Sequence, residues 1–234
     1  GSGSAIALSS DGTSLLLDGT AIGGGGGSPT LYAESLSGAT SPTATGTNSV
    51  AIGSDAQATA TNGSIAFGTA TRASGNANAA IGYQANAAGV GALATGYLAN
   101  AAADFSTAVG RNAKTATGSN ATALTNSDAS GANSFAAAIA NNTSTYGATG
   151  SGSVAMMNYA KASGSNSGAI GFGANATGSF AHAFGAQSFA TASSSLALGK
   201  QCQSTADYST SIGRGAINPI KGSFKFSGSY FSAA

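Results

Sequence analysis

The pentapeptide SVAIG, residues Ser49 to Gly53, decides the fold because variants of it return along most of the chain. It reappears as SIAFG at residues 64–68 and later as SGAIG, SLALG and STSIG. If its last residue is taken as a marker, neighbouring markers are 14 or 15 residues apart, except for one step of 17. Thirteen near-equal units predict an array in which each unit contacts mainly its neighbours. The markers are Gly53, Gly68, Gly82, Gly96, Gly110, Thr125, Ala140, Met157, Gly171, Gly185, Gly199, Gly213 and Ser227.

Each unit has the length of one coil of a β-solenoid. About fourteen residues are too few for a helix pair, but they accommodate two strands of about five residues and two tight turns. Val50 and Ile52 point to one face and Ala51 to the other, because strand side chains alternate. A small residue, usually three positions after the marker, indicates the second strand, as at Ala56. Gly and Asn between the strands suit turns that need a positive φ.

The sizes of the side chains predict that one chain leaves an apolar stripe uncovered. Strands whose facing residues are Ala, Ser and Gly lie close together, so the interior of a coil is thin. Burying a Val or Ile is worth about 1.5–3 kcal/mol, and a continuous aliphatic stripe in water promotes aggregation. The simplest cover is the same stripe on identical chains around an axis. The predicted axis residues are Val50, Ile52, Ile65, Phe67, Ile81, Val109, Ile170, Phe184, Leu196, Leu198 and Ile212.

Three segments carry a resemblance to a known family: NSVAIGSDAQATATNGS (residues 48–64), SGAIGFGANATGS (167–179) and SLALGKQCQSTADYS (195–209). They are similar to the head repeats of YadA-like trimeric autotransporter adhesins, over about residues 46–227. The resemblance implies an all-β, left-handed parallel β-roll and a homotrimer with the aliphatic stripe on the threefold axis. Similar repeats also occur in phage tail fibres and virion structural proteins, and residues 131–155 resemble a segment of such fibre proteins.

The two ends of the chain set the expected domain boundaries. Residues 14–19, SLLLDG, lie between Asp-Gly pairs that are hairpin signals, and a run of glycine follows at 23–27. We expect a β hairpin and Gly-rich linker over residues 1–45, the β-roll over 46–227, and a tail or capping strand over 228–234. The first residues lack the pattern of a secretory signal, so we also expect a processed piece or part of a longer protein.

Composition argues against several classes of partner. Charged residues are 6% of the chain and the net charge is +1, so no strong field attracts nucleic acid or an anionic membrane. No apolar run approaches the roughly 20 residues that span a bilayer, so we expect no membrane insertion by this segment. Cys202 is the only cysteine, which excludes an internal disulfide. Its slot in the repeat favours a buried substitute for alanine over a nucleophile.

Few side chains suit catalysis or metal binding. His182 is the only histidine and fills the slot of Val50, where three copies around an axis could bind a metal or an anion, although a structural role is favoured. Glycan cleavage needs two carboxylates in one groove. Here they lie one per distant coil, at Asp55, Asp104, Asp128 and Asp207. We therefore expect no enzyme activity, no catalytic residue, no metal and no cofactor.

The sequence predicts a mechanical and adhesive function. We expect a non-enzymatic trimeric fibre module of a phage tail fibre or virion, attached by its surface to a host receptor or glycan. The alternative is the head of a bacterial trimeric autotransporter adhesin on the cell surface, binding host cells or extracellular matrix. A glycan-cleaving tailspike and a spacer without a receptor are further alternatives. Because insertions in repeat proteins often carry function, the expected contact loop contains Asn141, Asn142 and Tyr146.

Overall fold

The computed structural model describes most of the repeat region and three short segments before it. Only the main chain is described in these first three segments. The described residues are 8–10, 15–17, 20–21, 40–117, 119–138 and 145–227. The glycine run at 23–27 and the expected tail at 228–234 lie outside them.

The N-terminal segments form a small antiparallel sheet. Its strands are β1 (Leu8–Ser10), β2 (Leu15–Leu17) and β3 (Thr20–Ala21), with β2 in the centre. β1 and β3 each pair antiparallel with β2.

Thirteen three-residue strands, one per coil, form a single parallel sheet that we call the long sheet. Each strand is the centre of the repeated phrase and pairs with its equivalents in the adjacent coils, as Ala51 does with Ala66. The strands are β5 (Val50–Ile52), β7 (Ile65–Phe67), β9 (Ala79–Ile81), β11 (Leu93–Thr95), β13 (Thr107–Val109), β15 (Thr122–Leu124), β16 (Phe135–Ala137), β18 (Val154–Met156), β20 (Gly168–Ile170), β22 (His182–Phe184), β24 (Leu196–Leu198), β26 (Thr210–Ile212) and β28 (Phe224–Phe226).

Two-residue strands form two further parallel sheets, the short sheets, on the other side of the coils. The first contains β4 (Thr43–Ala44), β6 (Gln57–Ala58), β8 (Arg72–Ala73), β10 (Asn86–Ala87), β12 (Asn100–Ala101) and β14 (Lys114–Thr115). The second contains β17 (Gly147–Ala148), β19 (Lys161–Ala162), β21 (Asn175–Ala176), β23 (Phe189–Ala190), β25 (Gln203–Ser204) and β27 (Ile217–Asn218).

This topology confirms the predicted all-β parallel solenoid with coils of about 14 residues. The strands are three and two residues long instead of the predicted five or so. The rest of each coil forms the corners, because a residue with positive φ precedes each long strand and, except after β28, another follows it. Asn48, at φ 58, lies two residues before β5, and Asp55, at φ 53, lies three residues after it. In the described part of the chain, no helix is long and apolar enough to cross a membrane.

The apolar part of the interior consists of alanine apart from Cys202, and buried polar side chains, most of them serine, threonine or asparagine, complete it. Ala51 and Ala66 of the long sheet and Ala58 and Ala73 of the short sheet belong to one buried cluster, each at most 2% exposed. Alanine contributes little apolar area, so regular main-chain ladders carry much of the cohesion between coils. For example, the Val50 N–H donates to the carbonyl of Ser64 at 2.9 Å.

The marker glycines allow successive coils to approach each other closely. Gly68 has φ +129, and a Cβ there would lie 2.3 Å from the carbonyl oxygen of Gly82 in the next coil. Any side chain would therefore collide with the backbone in a conformation that L-residues rarely adopt. The marker glycines of successive coils thus form a column of close backbone contacts, which we call the marker column. This column explains the regular period of glycine in the sequence.

The middle of the solenoid departs from the regular pattern, and one predicted marker is wrong. β16 ends at Ala137, so the marker position of its coil is Ala138 and not Ala140. Pairing of Thr122 with Phe135 and of Phe135 with Val154 gives successive steps of 13 and 19 residues. The phrase is degenerate here, since alanine occupies several adjacent positions that could each serve as the marker.

Candidate functional site

The outward face of the long sheet carries an apolar stripe. All the residues predicted for an oligomer axis lie at outward positions of these strands, alternating with buried alanines. Val50 is 39% exposed and Phe67 is 52% exposed, and Ile52 and Ile212 are half-buried. The coils of one chain therefore do not bury these side chains, which was the premise of the predicted oligomer.

The stripe is more continuous than the sequence pattern suggested. The second outward position of the long strands is apolar in every coil except that of Thr95. Strand pairing adds outward apolar residues that the repeat phrase did not single out, most of them in coils whose marker is not glycine. These are Leu93, Leu124, Phe135, Val154, Met156, Phe224 and Phe226.

His182 lies on this stripe, at the slot predicted for it. It pairs with Gly168 and Leu196 in the adjacent strands and stacks on Phe184, with ring centroids 5.9 Å apart. Within the described residues, no three His, Cys, Asp or Glu side chains come together in a way that could hold a metal ion.

Two of the candidate carboxylates each accept a backbone hydrogen bond at a turn of the solenoid. Asp104 Oδ1 accepts a hydrogen bond from the Val90 N–H at 2.9 Å, and Asp207 Oδ1 accepts one from the Ser193 N–H at 3.1 Å. In both cases the donor lies one coil earlier. These carboxylates therefore join neighbouring coils at the same corner.

The other two candidate carboxylates each have a cationic neighbour. Asp55 accepts a hydrogen bond from Gln57 Nε2 at 2.8 Å and lies 3.5 Å from Arg72 Nη2. Asp128 is buried, and its Oδ2 lies 3.6 Å from Lys114 Nζ, whereas its Oδ1 has no hydrogen-bond partner. Burial raises the pKa of the Asp128 carboxyl, and Lys114 opposes part of this shift.

Cys202 is fully buried in the alanine core. Its Sγ donates a weak hydrogen bond to the Ser211 carbonyl oxygen at 3.1 Å. Burial raises the pKa of the thiol, which disfavours the nucleophilic thiolate. The side chain packs as the alanine at the same position in other coils does.

Aromatic side chains line the corner that follows the long strands. In the first half, Tyr83 and Tyr97 stack with centroids 5.3 Å apart and an interplanar angle of 10°. In the second half, Tyr146 meets Tyr159 edge-on at 5.3 Å, and Tyr159 meets Phe172 edge-on at 5.6 Å.

One of the predicted contact residues, Tyr146, belongs to this second aromatic row. Tyr146 is half-buried and packs against the alanine core. Asn141 and Asn142, the other two predicted contact residues, lie outside the described residues.

The irregular middle also contains two adjoining pockets at the same corner. One has a volume of about 360 Å³ and is lined by Arg111, Thr125, Asn126, Ala138 and Asn158. The other has a volume of about 300 Å³ and is lined by Ala138, Met157, Asn158 and Phe172. They share Ala138 and Asn158, so we treat them as one groove, the middle groove. Sequence reasoning missed it because the groove depends on which coils are adjacent.

Comparison with known protein families finds YadA head domain repeats on both sides of the irregular middle. The matches cover residues 44–69, 79–99, 87–113, 176–201 and 190–216. No curated protein matches the chain. The matched segments coincide with coils whose marker residue is glycine. The chain therefore carries YadA-like head repeats, arranged as a parallel β-solenoid on either side of an irregular centre.

Proposed function

We propose that the chain is a non-enzymatic, homotrimeric fibre module that projects from a surface and attaches to a host. The observation that carries this proposal is the apolar stripe on the outward face of the long sheet. It runs along the whole solenoid, and side chains as large as Phe67 remain half-exposed in it. A stripe of this length on a water-exposed face calls for a cover.

Three copies around an axis provide that cover without further elements. Each stripe packs against two others, and the parallel strands keep the stripes in register. The YadA head repeats support this arrangement, because proteins with such repeats resemble trimeric adhesins. With coils about 4.8 Å apart, the result is a rod of roughly 60 Å whose low charge suits many weak surface contacts.

The trimer is tested by the mass of the purified chain in solution, measured by light scattering. We expect three times the chain mass of 22.0 kDa. Phe67→Asp, which places three carboxylates on the axis, should dissociate the assembly. Asn76→Asp is the matched control, because Asp104 fills the equivalent corner in a later coil. A compact monomer for the unmodified chain would overturn the proposal.

The arrangement of the carboxylates supports a binding role over glycan cleavage. A glycosidase needs two carboxyl groups on either side of one bond. Each of the four aspartates considered above instead contacts a backbone N–H, an amide or a cation of its own corner. Turnover of a bound glycan, abolished by replacing one of these aspartates, would favour the tailspike alternative.

Two settings fit this function. Residues 131–155 resemble phage fibre proteins, which favours a tail fibre or another virion fibre. The YadA head repeats equally favour the head of a bacterial surface adhesin. Binding of the labelled trimer to bacterial envelopes would support the virion setting. Binding to animal cells or matrix-coated surfaces would support the adhesin setting, and binding to none of them would leave the module a spacer.

A further inference from the structure

The middle groove lies at a place where the solenoid changes its construction. In regular coils, the position after the marker forms a continuous row along one corner, to which Tyr97 and Arg111 belong. The row continues through Asn126 and Asn158 to Phe172, and Ala138, the marker of the coil between Asn126 and Asn158, lines the groove with its small side chain. We call the part of the groove along this row the notch.

The polar side chains in the notch are donors of hydrogen bonds. Asn126 and Asn158 bring amide groups from two different coils. Arg111 adds a guanidinium that forms no ion pair with any described residue. Arg72, in a regular coil, is by contrast held by Asp55. Among the described residues, the notch therefore contains one positive charge without an ion pair, beside neutral amides.

The apolar side of the notch is an aromatic ring held in place. Phe172 is 49% exposed and lines the groove next to Met157. Its ring meets Tyr159 edge-on, and Tyr159 in turn meets Tyr146, which packs on the alanine core. This contact restricts the Phe172 ring before a ligand arrives, which lowers the entropy cost of binding.

These groups match the chemistry of an acidic sugar. The C–H face of a pyranose ring packs on an aromatic ring, and its hydroxyl groups pair with amides. A planar carboxylate suits the fork of a guanidinium, and one Arg compensates a single negative charge. The pocket volumes lie at the lower end of the range for small-ligand sites.

We propose that the middle groove binds a carboxylate-bearing segment of a host glycan, with Arg111 on a carboxylate and Phe172, four coils along, under a sugar ring. The proposal rests on the attachment function inferred above and names the chemistry of its receptor. The corner row begins beyond the end of the long strands, so the residues of the groove are not those of the apolar stripe that a trimer would bury. Three equal grooves then bind a repeating glycan multivalently.

The test uses the full chain and two pairs of soluble probes in ligand-observed NMR titrations. One pair is a galacturonate hexamer and its methyl ester, and the other is sialyllactose and lactose. In each pair the sugar skeleton is retained while the carboxylate is masked or missing. We expect at least one acidic probe to bind, and its neutral counterpart to bind about tenfold more weakly or not at all.

Matched variants assign the binding to the groove. Arg111→Gln should weaken the acidic probe about tenfold, whereas Arg214→Gln, in the same row of a regular coil, should leave it unchanged. Phe172→Ala should weaken both probes of the pair, and its control is Tyr97→Ala, an aromatic of the same row. Circular dichroism and mass measurements confirm that each variant keeps the fold and the trimer.

The outcomes separate this inference from the attachment function. If neither acidic probe binds, or if Arg111→Gln binds as tightly as the parent, the acidic-sugar site is wrong. Attachment of the parent trimer and of Arg111→Gln to the same cells, with equal affinity, would overturn the site and preserve the attachment function. Loss of cell attachment on Arg111→Gln alone supports both.

Discussion

The regular coils and the irregular middle share one sheet and differ in the other. The long sheet passes through β13, β15, β16 and β18 without interruption. The short sheets, by contrast, end at β14 on one side and begin at β17 on the other. Residues 127–131 lie between them, where the Ala129 N–H donates to the Lys114 carbonyl and the Ala148 N–H to the Asp128 carbonyl, both at 2.9 Å. The comparison indicates that the continuous long sheet holds the solenoid together, while the opposite side tolerates change.

The same division holds for the marker column. In regular coils the marker is glycine, and φ at Gly82 is +124. In the middle, Thr125, Ala138 and Met157 take its place, with φ values of 32, 56 and 81. These values lie nearer the left-handed helical region, which residues with side chains enter more readily. The middle therefore accepts side chains at positions where a regular coil does not.

The largest expected effect tests whether the marker glycines account for the difference between the regular coils and the irregular middle. Gly82→Ala places a Cβ 2.6 Å from the Gly96 carbonyl oxygen at a strained φ, so the free energy of unfolding should fall by about 3 kcal/mol. Ala138→Gly, at the equivalent position of the middle, should change it by less than about 1 kcal/mol, because glycine accepts positive φ. Denaturant unfolding at one fixed protein concentration measures both variants. Equal losses would show that the marker column is not the source of the difference.

The period, the inward alanines and the outward stripe could be predicted from the sequence because they follow from local rules. Strand alternation assigns Val50 and Ala51 to opposite faces, whatever the rest of the chain does. The strand lengths could not be read in the same way. Corner residues such as Asn48 adopt positive φ only because the chain must turn there to return to the next coil.

The wrong marker at Ala140 has a related cause. The run of small residues after Phe135 offers several candidates, and alternation alone does not choose among them. Serine immediately precedes nine of the thirteen long strands, and Ser134 would have identified the correct marker here. Ser134 Oγ donates to the Gly131 carbonyl at 2.6 Å, as Ser153 Oγ does to that of Gly150. The middle groove had no such local signal, because Arg111 and Phe172 are distant in sequence.

A smaller expected effect tests how much the hydrogen bonds of the inward serines contribute to the free energy of unfolding. Ser106 Oγ donates to the Ala103 carbonyl at 2.6 Å and accepts from Thr115 Oγ1 at 2.8 Å, whereas Ser167 Oγ is buried without a partner. Ser106→Ala should therefore lower the free energy of unfolding by about 1.5 kcal/mol. Ser167→Ala, nearer the irregular middle, should be neutral or slightly stabilising. A larger loss for Ser167→Ala than for Ser106→Ala would contradict this assignment.

The smallest expected effect concerns Asp128, where the break in the short sheets buries a carboxylate. An acid whose pKa is higher in the folded than in the unfolded state stabilises the fold while protonated. That stabilisation is present below the unfolded pKa of about 3.9 and is lost as the pH rises through the raised folded value. Asp128→Asn stays neutral, so relative to the parent its free energy of unfolding should increase between pH 4 and pH 7, by about 1 kcal/mol or less.

Lys114 supplies the control for this pH dependence. Its ammonium lies 3.6 Å from Asp128 Oδ2 and lowers the pKa of that carboxyl, against the larger effect of burial. Lys114→Gln should therefore raise the folded pKa further and enlarge the loss of stability between pH 4 and pH 7. In the double variant with Asp128→Asn this enlargement should vanish, because no titrating group remains at the break. Lys114→Gln could instead leave the pH profile unchanged. In that case the regular and irregular regions do not differ in the electrostatics around the short sheets, and the difference between them lies in the backbone alone.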